Sequence, residues 1–143
     1  MKHSSEVVIA APIEVVIPWV SDLSLYPQWM PLVHSAELMG DDSWAVELRA
    51  KVGVFARSKR LRMCRTHHDA TRIVFERKEL DGRKHSEWIL EIELQQEGSD
   101  CRVAMHMAYG GNLWTAGVLD RVLASHVDAG KSGLARLVYG VTE

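Results

Sequence analysis

The chain has 143 residues and a mass of 16.1 kDa, with 47% hydrophobic and 25% charged residues, which suits one domain spanning 1–143 rather than two. Lys and Arg number 17 against 19 Asp and Glu, a formal charge of -2, so no net field draws the protein to nucleic acid or to an anionic membrane surface. Apolar runs such as Val7 to Ala11 fall far short of the roughly 20 residues of a membrane span, and no secretory signal precedes them, so a cytoplasmic protein with Cys64 and Cys101 as free thiols is expected.

Ser5 to Ala11 reads as a strand that stops at Pro12, whose fixed φ suits the start of a helix. Ile13, Val16, Ile17 and Val20 then recur at the spacing of one helical face, while Pro18 interrupts the ladder, so the helix is expected to be short or bent. Ser21-Asp22-Leu23-Ser24 can end it and cap a second short helix, and Pro27 and Pro31 bracket an aromatic connector.

From Ser35 to Tyr109 the period changes to two. Trp44, Val46 and Leu48 alternate with Ala45, Glu47 and Arg49, and Leu61, Met63 and Arg65 alternate with Arg60, Arg62 and Cys64. The same pattern sets Ile73 and Phe75 against Arg72 and Glu76, and Trp88, Leu90, Ile92 and Leu94 against glutamates. It recurs in Val103, Met105, Met107 and Tyr109 against Arg102, Ala104 and His106. Turn signals at Gly40-Asp41-Asp42, His68-Asp69-Ala70, Asp81-Gly82-Arg83 and Glu97-Gly98-Ser99-Asp100 suit hairpins, giving an antiparallel meander with one apolar face.

After Gly110-Gly111, Asn112 can cap a long helix running to about Val138, with Leu119, Val122, Leu123, Leu134 and Leu137 on its apolar side. One helix cannot fill the concavity of a long, curled sheet. A cavity on the order of 300–1,000 Å³ is therefore expected between the two, lined by Trp88, Leu90, Ile92, Met105, Met107 and Val122. Ala129, Gly130 and Gly133 lie along or beside the helical stripe where a filled core would carry Leu or Ile. Because Gly costs roughly 1 kcal/mol in a helix interior relative to Ala, either open space or close backbone packing makes use of them.

This order of elements resembles the helix-grip fold of the START-like (SRPBCC) superfamily, which includes the polyketide cyclases/dehydrases and the birch-pollen allergen family. Ile9-Ala10-Ala11-Pro12-Ile13-Glu14-Val15-Val16 is similar to the opening of the polyketide cyclase branch. Val20-Ser21-Asp22-Leu23-Ser24-Leu25-Tyr26-Pro27-Gln28-Trp29 is similar to its segment of Asp followed by an aromatic-Pro pair. The resemblance implies an α+β fold: six to seven antiparallel strands in a curved sheet wrapped around a long C-terminal helix, with two short helices after the first strand. It also implies a hydrophobic ligand held between sheet and helix, with cyclisation or dehydration of polyketides in some members and carriage of a lipid, sterol or quinone in others. The aromatase/cyclases carry an arginine on an inner strand position, which Arg65 matches by strand order. Their tyrosine at the start of the second strand has no counterpart here, where the chain reads Leu32-Val33-His34.

Seven histidines show no metal-ligand spacing, and no cofactor or metal is expected. Gly130-Lys131-Ser132 mimics the end of a phosphate loop but lies mid-helix, where backbone amides are already used. The basic run Arg57, Lys59, Arg60 and Arg62 reads as cross-strand charge pairing with glutamates on the solvent face. His126, one turn from both Val122 and Gly130, is expected to face the sheet or the cavity, either as an acid/base or as a hydrogen-bonded core residue. Arg65 and Arg77 share parity with apolar residues, and each needs an acceptor: a ligand oxygen, or a protein carboxylate such as Asp120 or Glu79.

The sequence therefore reads as a binder of a hydrophobic, aromatic or polycyclic small molecule (polyketide, lipid or quinone-like). Its expected ligand-binding residues are Arg65, Arg77, Phe75, Trp88, Leu90, Ile92, Met105, Met107, Tyr109, Val122, His126 and Gly130. The enzymatic alternative is an aromatase/cyclase or dehydratase in which Arg65 stabilises an enolate and His126 or Tyr109 moves protons. A further alternative is a protein-interaction module, whose mark would be an exposed apolar patch at Trp29 and Met30.

Overall fold

Alternating apolar residues along most of the chain build one seven-stranded antiparallel sheet in the computed structural model, which describes residues 2–52, 54–110 and 133–138. Its strands are β1 (Lys2–Ile9), β2 (Val33–Gly40), β3 (Ser43–Val52), β4 (Phe55–His68), β5 (Arg72–Arg77), β6 (Trp88–Glu97) and β7 (Asp100–Tyr109). The spatial order β1-β7-β6-β5-β4-β3-β2 makes β2 to β7 a continuous meander, with β1 added beside β7. Consecutive strands β1 and β2 thus stand at opposite edges, and the chain between them must cross the sheet.

Two short helices make that crossing. α1 (Ile13–Ser21) packs against β6 and β7, and the 3-10 helix Leu23–Gln28 packs against β2. Val16 and Val20 of α1, with Leu23 and Tyr26 of the 3-10 helix, are buried, as apolar spacing on one face requires. Pro12 is the N-cap of α1, and Pro18 lies inside the helix without ending it. Asp22 caps the 3-10 helix, its carboxylate accepting from the Ser24 amide at 3.0 Å. Tyr26 Oη donates to Val20 O at 2.8 Å, and complete burial pushes its phenol far above the ordinary value. These bonds lock the crossing segment onto itself. Trp29 and Met30 are 2% and 4% exposed and belong to the core, so the exposed apolar patch that would mark an interaction module is not formed by them.

Strand register puts the apolar sets opposite one another. In β3 and β4, Trp44 pairs with Met63 and Val46 with Leu61, while in β6 and β7 Leu90 pairs with Met107 and Ile92 with Met105. The opposite face carries charge pairs: Glu47 takes Arg60 at 3.1 Å and Arg49 at 2.8 Å, and Arg72 reaches Glu91 at 2.6 Å. A bulge interrupts the β4–β5 ladder between Arg65 and His67.

Residues 133–138 are helical, with Leu134 and Val138 fully buried. The rest of the expected long helix, including Asn112, Leu119, Asp120, Val122, Leu123, His126, Ala129 and Gly130, lies outside the described residues. Gly133 resolves one of the two uses considered for it. A Cβ built there would meet Trp29 O at 2.7 Å and Trp29 Cα at 3.2 Å, so this glycine serves close backbone packing and leaves no room for a ligand. The neighbour is the connector after the 3-10 helix, not a strand. Among the described residues no helix is long and apolar enough to cross a membrane.

Candidate ligand pocket on the inner face of the sheet

The inner face of β3, β4, β6 and β7 and the crossing segment enclose an apolar pocket of about 50 Å³. The crossing segment contributes Leu23, Tyr26, Met30 and Leu32, and β2 adds Val33. From the sheet come Val46, Leu48, Leu61 and Met63 of β3 and β4, with Trp88, Leu90 and Met107 on the far side. The cavity of about 300–1,000 Å³ expected from the sequence adjoins the C-terminal helix, most of which lies outside the described residues; among the described residues the 3-10 helix and its connector cover part of the inner face. Met30, Met63 and Met107 are unbranched and polarizable, so this lining can re-pack around a larger body at modest cost.

Of the residues expected from sequence, Trp88, Leu90 and Met107 line this pocket. Phe75, Ile92, Met105 and Tyr109 lie outside the lining, as fully or almost fully buried core of the same sheet. Phe75 makes an edge contact with Trp44 at 5.7 Å and another with Tyr26 at 6.0 Å, and Tyr109 stacks on Trp88 at 5.5 Å. Val122, His126 and Gly130 lie outside the described residues. The buried indole Nε1 atoms of Trp44 and Trp88 have no hydrogen-bond partner among the described residues. Trp88, a residue of the pocket lining, therefore carries a buried donor that is unmet among the described residues.

Arg65 and Arg77 both lie on the inner side, and each already has protein acceptors. Arg65 pairs with Phe75 across the β4–β5 ladder, ahead of the bulge. Its guanidinium donates to Ser21 O at 2.6 Å and to the Asp42 carboxylate, and it sits 5.5 Å from the ring centre of Trp44. It ties the end of α1 to the β2–β3 turn and does not line the apolar pocket. Arg77, whose side chain is 9% exposed, donates from Nε to Glu79 Oε1 at 3.0 Å and from Nη1 to Ser86 Oγ at 3.2 Å. Of the acceptors considered for it, Glu79 is the one found. Burial pushes the Glu79 carboxyl up, but hydrogen bonds from the Arg62 amide and Arg77 outweigh that and hold it below the usual carboxylate range.

The basic run in β4 separates by parity. Arg60 turns outward to Glu47, whereas Lys59 stands opposite Leu48 and shares the inner face with Leu61. Lys59 donates to Ser86 Oγ at 3.2 Å. Burial, and then the Arg77 charge, pull its ammonium below the ordinary lysine value. Reading the whole run as solvent-face pairing missed this residue, although the alternation through Leu61 and Met63 already carried the signal. The connector residues Leu23, Tyr26 and Met30 had no such signal, because nothing local says which side of the sheet a crossing segment covers.

On the outer face, Glu91, Glu93 and His106 bring their ligating atoms within 4.8 Å of one another. Glu91 is engaged by Arg72 at 2.6 Å and His106 Nδ1 by Ser4 Oγ at 2.9 Å, so hydrogen bonding accounts for the cluster.

Comparison with known proteins extends this picture. Residues 1–139 match the model of a family described as polyketide cyclase / dehydrase and lipid transport. The structure is similar to a conserved protein from Geobacillus kaustophilus, with TM-score 0.79, 12% identity, and coverage of 98% of this chain and 96% of that one. A START superfamily protein from Mycobacterium smegmatis aligns with TM-score 0.74 and 12% identity over 98% of each chain. The Zhui aromatase/cyclase from Streptomyces sp. R1128 aligns with TM-score 0.72 and 15% identity over 100% of this chain and 96% of that one. A sequence search of curated proteins finds no match. Likeness at these identities carries the fold, a curved antiparallel sheet of START-like type, and leaves chemistry to the residues of the site.

Proposed function

The chain belongs to the polyketide cyclase / dehydrase and lipid transport family, and we propose that it binds a hydrophobic small molecule with an aromatic or polycyclic body against the inner face of its sheet. One observation carries the reading: an apolar pocket on the inner face of the sheet, one of whose lining residues, Trp88, carries a buried indole N–H with no partner among the described residues. A ligand with one hydrogen-bond acceptor on an apolar body complements such a lining, since burial of its apolar surface contributes roughly 25 cal/mol per Å². Native mass spectrometry and solvent extraction of the purified protein test it. A copurifying apolar compound, or saturable uptake of an environment-sensitive apolar dye that Met107→Trp reduces, is the expected result. Absence of both would end the binding reading.

The aromatase/cyclase or dehydratase reading is favoured by the inner-face position of Arg65. In it Arg65 exchanges its Asp42 contact for a substrate oxygen and stabilises a developing enolate, while Tyr109 or His126 moves the proton. Regiospecific cyclisation of a poly-β-ketone chain by the purified protein, lost in Arg65→Met, is the expected outcome. No turnover would leave binding alone.

A further inference from the structure

Polar groups converge beside the apolar pocket, next to its lining residues Leu48, Leu61 and Trp88 though not themselves in the lining. Lys59 stands opposite Leu48 and two residues before Leu61, and both of those side chains line the pocket. Its Nζ lies 3.2 Å from Ser86 Oγ, the same hydroxyl that Arg77 Nη1 reaches at 3.2 Å. Ser86 precedes by two residues Trp88, the lining residue with the unmet N–H. Two cations therefore share one hydroxyl beside an apolar space.

Their charges do not cancel. Glu79 accepts from Arg77 Nε at 3.0 Å and from the Arg62 amide at 2.9 Å, which offsets one cation. His85 contacts Arg77 Nη2 at 3.3 Å but turns its other nitrogen to Asp81 at 2.8 Å. Among the described residues no carboxylate forms an ion pair with Lys59, whose hydrogen-bond partner is a neutral hydroxyl. The Glu79 charge acts on Lys59 as well as on Arg77, so one carboxylate faces two cations; a partly desolvated ammonium left with that incomplete compensation is unfavourable, and an incoming anion relieves it. Arg65, in contrast, is already neutralised by Asp42.

We propose that the ligand is an amphipathic monoanion, a carboxylate on an apolar body, with its carboxylate oxygen bound to Lys59 beside Ser86 and its body in the apolar pocket. The inference rests on the binding reading above and adds its head-group chemistry. Lys59 is a binding residue in this scheme, Ser86 a second donor to the carboxylate, and Arg77 a positioning residue that orients the Ser86 hydroxyl. An anchor of this kind selects for charge at one end of the ligand and leaves the body to be chosen by shape.

Calorimetric titration with octanoate and with octan-1-ol, which share an alkyl chain and differ in head group, tests it. The protein is expected to bind octanoate at least tenfold more tightly than octanol. Lys59→Met should lower octanoate affinity at least tenfold while leaving octanol within twofold, so the neutral ligand reports that the pocket is still folded. Lys59→Arg should restore most of the difference. Equal affinity for both ligands, or equal losses in Lys59→Met, would overturn the head-group assignment while sparing the pocket. Failure of both ligands to bind would overturn the pocket reading and this inference together.

Discussion

Gly133 and the backbone of Trp29 approach so closely that a methyl group on the glycine would sit 2.7 Å from the Trp29 carbonyl oxygen. Trp29 is held from its other side, where Nε1 donates to Trp19 O at 3.1 Å and its ring packs 4.5 Å from Tyr26. The contact therefore joins helical residues 133–138 to the crossing segment. A carbonyl oxygen fixed by its own chain cannot step aside as a flexible side chain could, so Gly133→Ala is expected to cost about 1–3 kcal/mol through overpacking. Urea unfolding followed by tryptophan fluorescence checks this. An unchanged midpoint would show that the helical residues can shift away from Trp29.

Arg65 is placed to hold elements together more than to hold a ligand. Arg65→Met removes the bonds to Ser21 O and Asp42 and the cation over Trp44, and a loss of about 1–3 kcal/mol is expected. The ratio of octanoate to octanol affinity should stay unchanged. A collapse of that ratio in Arg65→Met would move the anionic anchor from Lys59 to Arg65.

Trp88→Phe keeps an aromatic ring in position to stack on Tyr109 while removing a buried N–H that has no acceptor among the described residues. Lost ring area and relief of an unmet donor oppose one another, the second contributing about 1–3 kcal/mol. Stability in the absence of ligand should therefore change by no more than about 1 kcal/mol, whereas affinity for acceptor-bearing ligands falls. Thermal unfolding with and without octanoate separates the two effects. A large loss of stability in the absence of ligand would reveal an acceptor already satisfying the indole.

Acid should weaken the polar cluster beside the pocket. The Glu79 carboxyl is held below its ordinary value, so it contributes stability above the unfolded-state pKa, and that contribution is lost as pH falls through the lower folded-state value. Glu79→Gln is expected to cost about 1.5–3 kcal/mol at neutral pH, with the difference from the unaltered protein shrinking on acidification. Denaturant midpoints for both proteins at pH 7 and at several lower pH values check the sign. A difference independent of pH would assign the effect to hydrogen-bond geometry and not to charge.

Strand content, the meander and the inner parity of Trp88, Leu90 and Met107 were legible in the sequence, because period-two alternation and hairpin turns are local properties that neighbouring residues impose on one another. Parity also reached Lys59, but its place in a run of cations hid it, since charge composition and strand face give opposite readings there. The acceptors of Arg65, Ser21 and Asp42, lie 44 and 23 residues away in the chain, and only the crossing of α1 over the sheet brings the first of them near. The same crossing puts Leu23, Tyr26 and Met30 into the pocket. Gly133 is the sharpest case. A glycine beside an apolar helical stripe marks close approach or open space with equal force, and which one it is depends on a backbone more than a hundred residues earlier, a distance across which sequence pattern carries no information and packing decides.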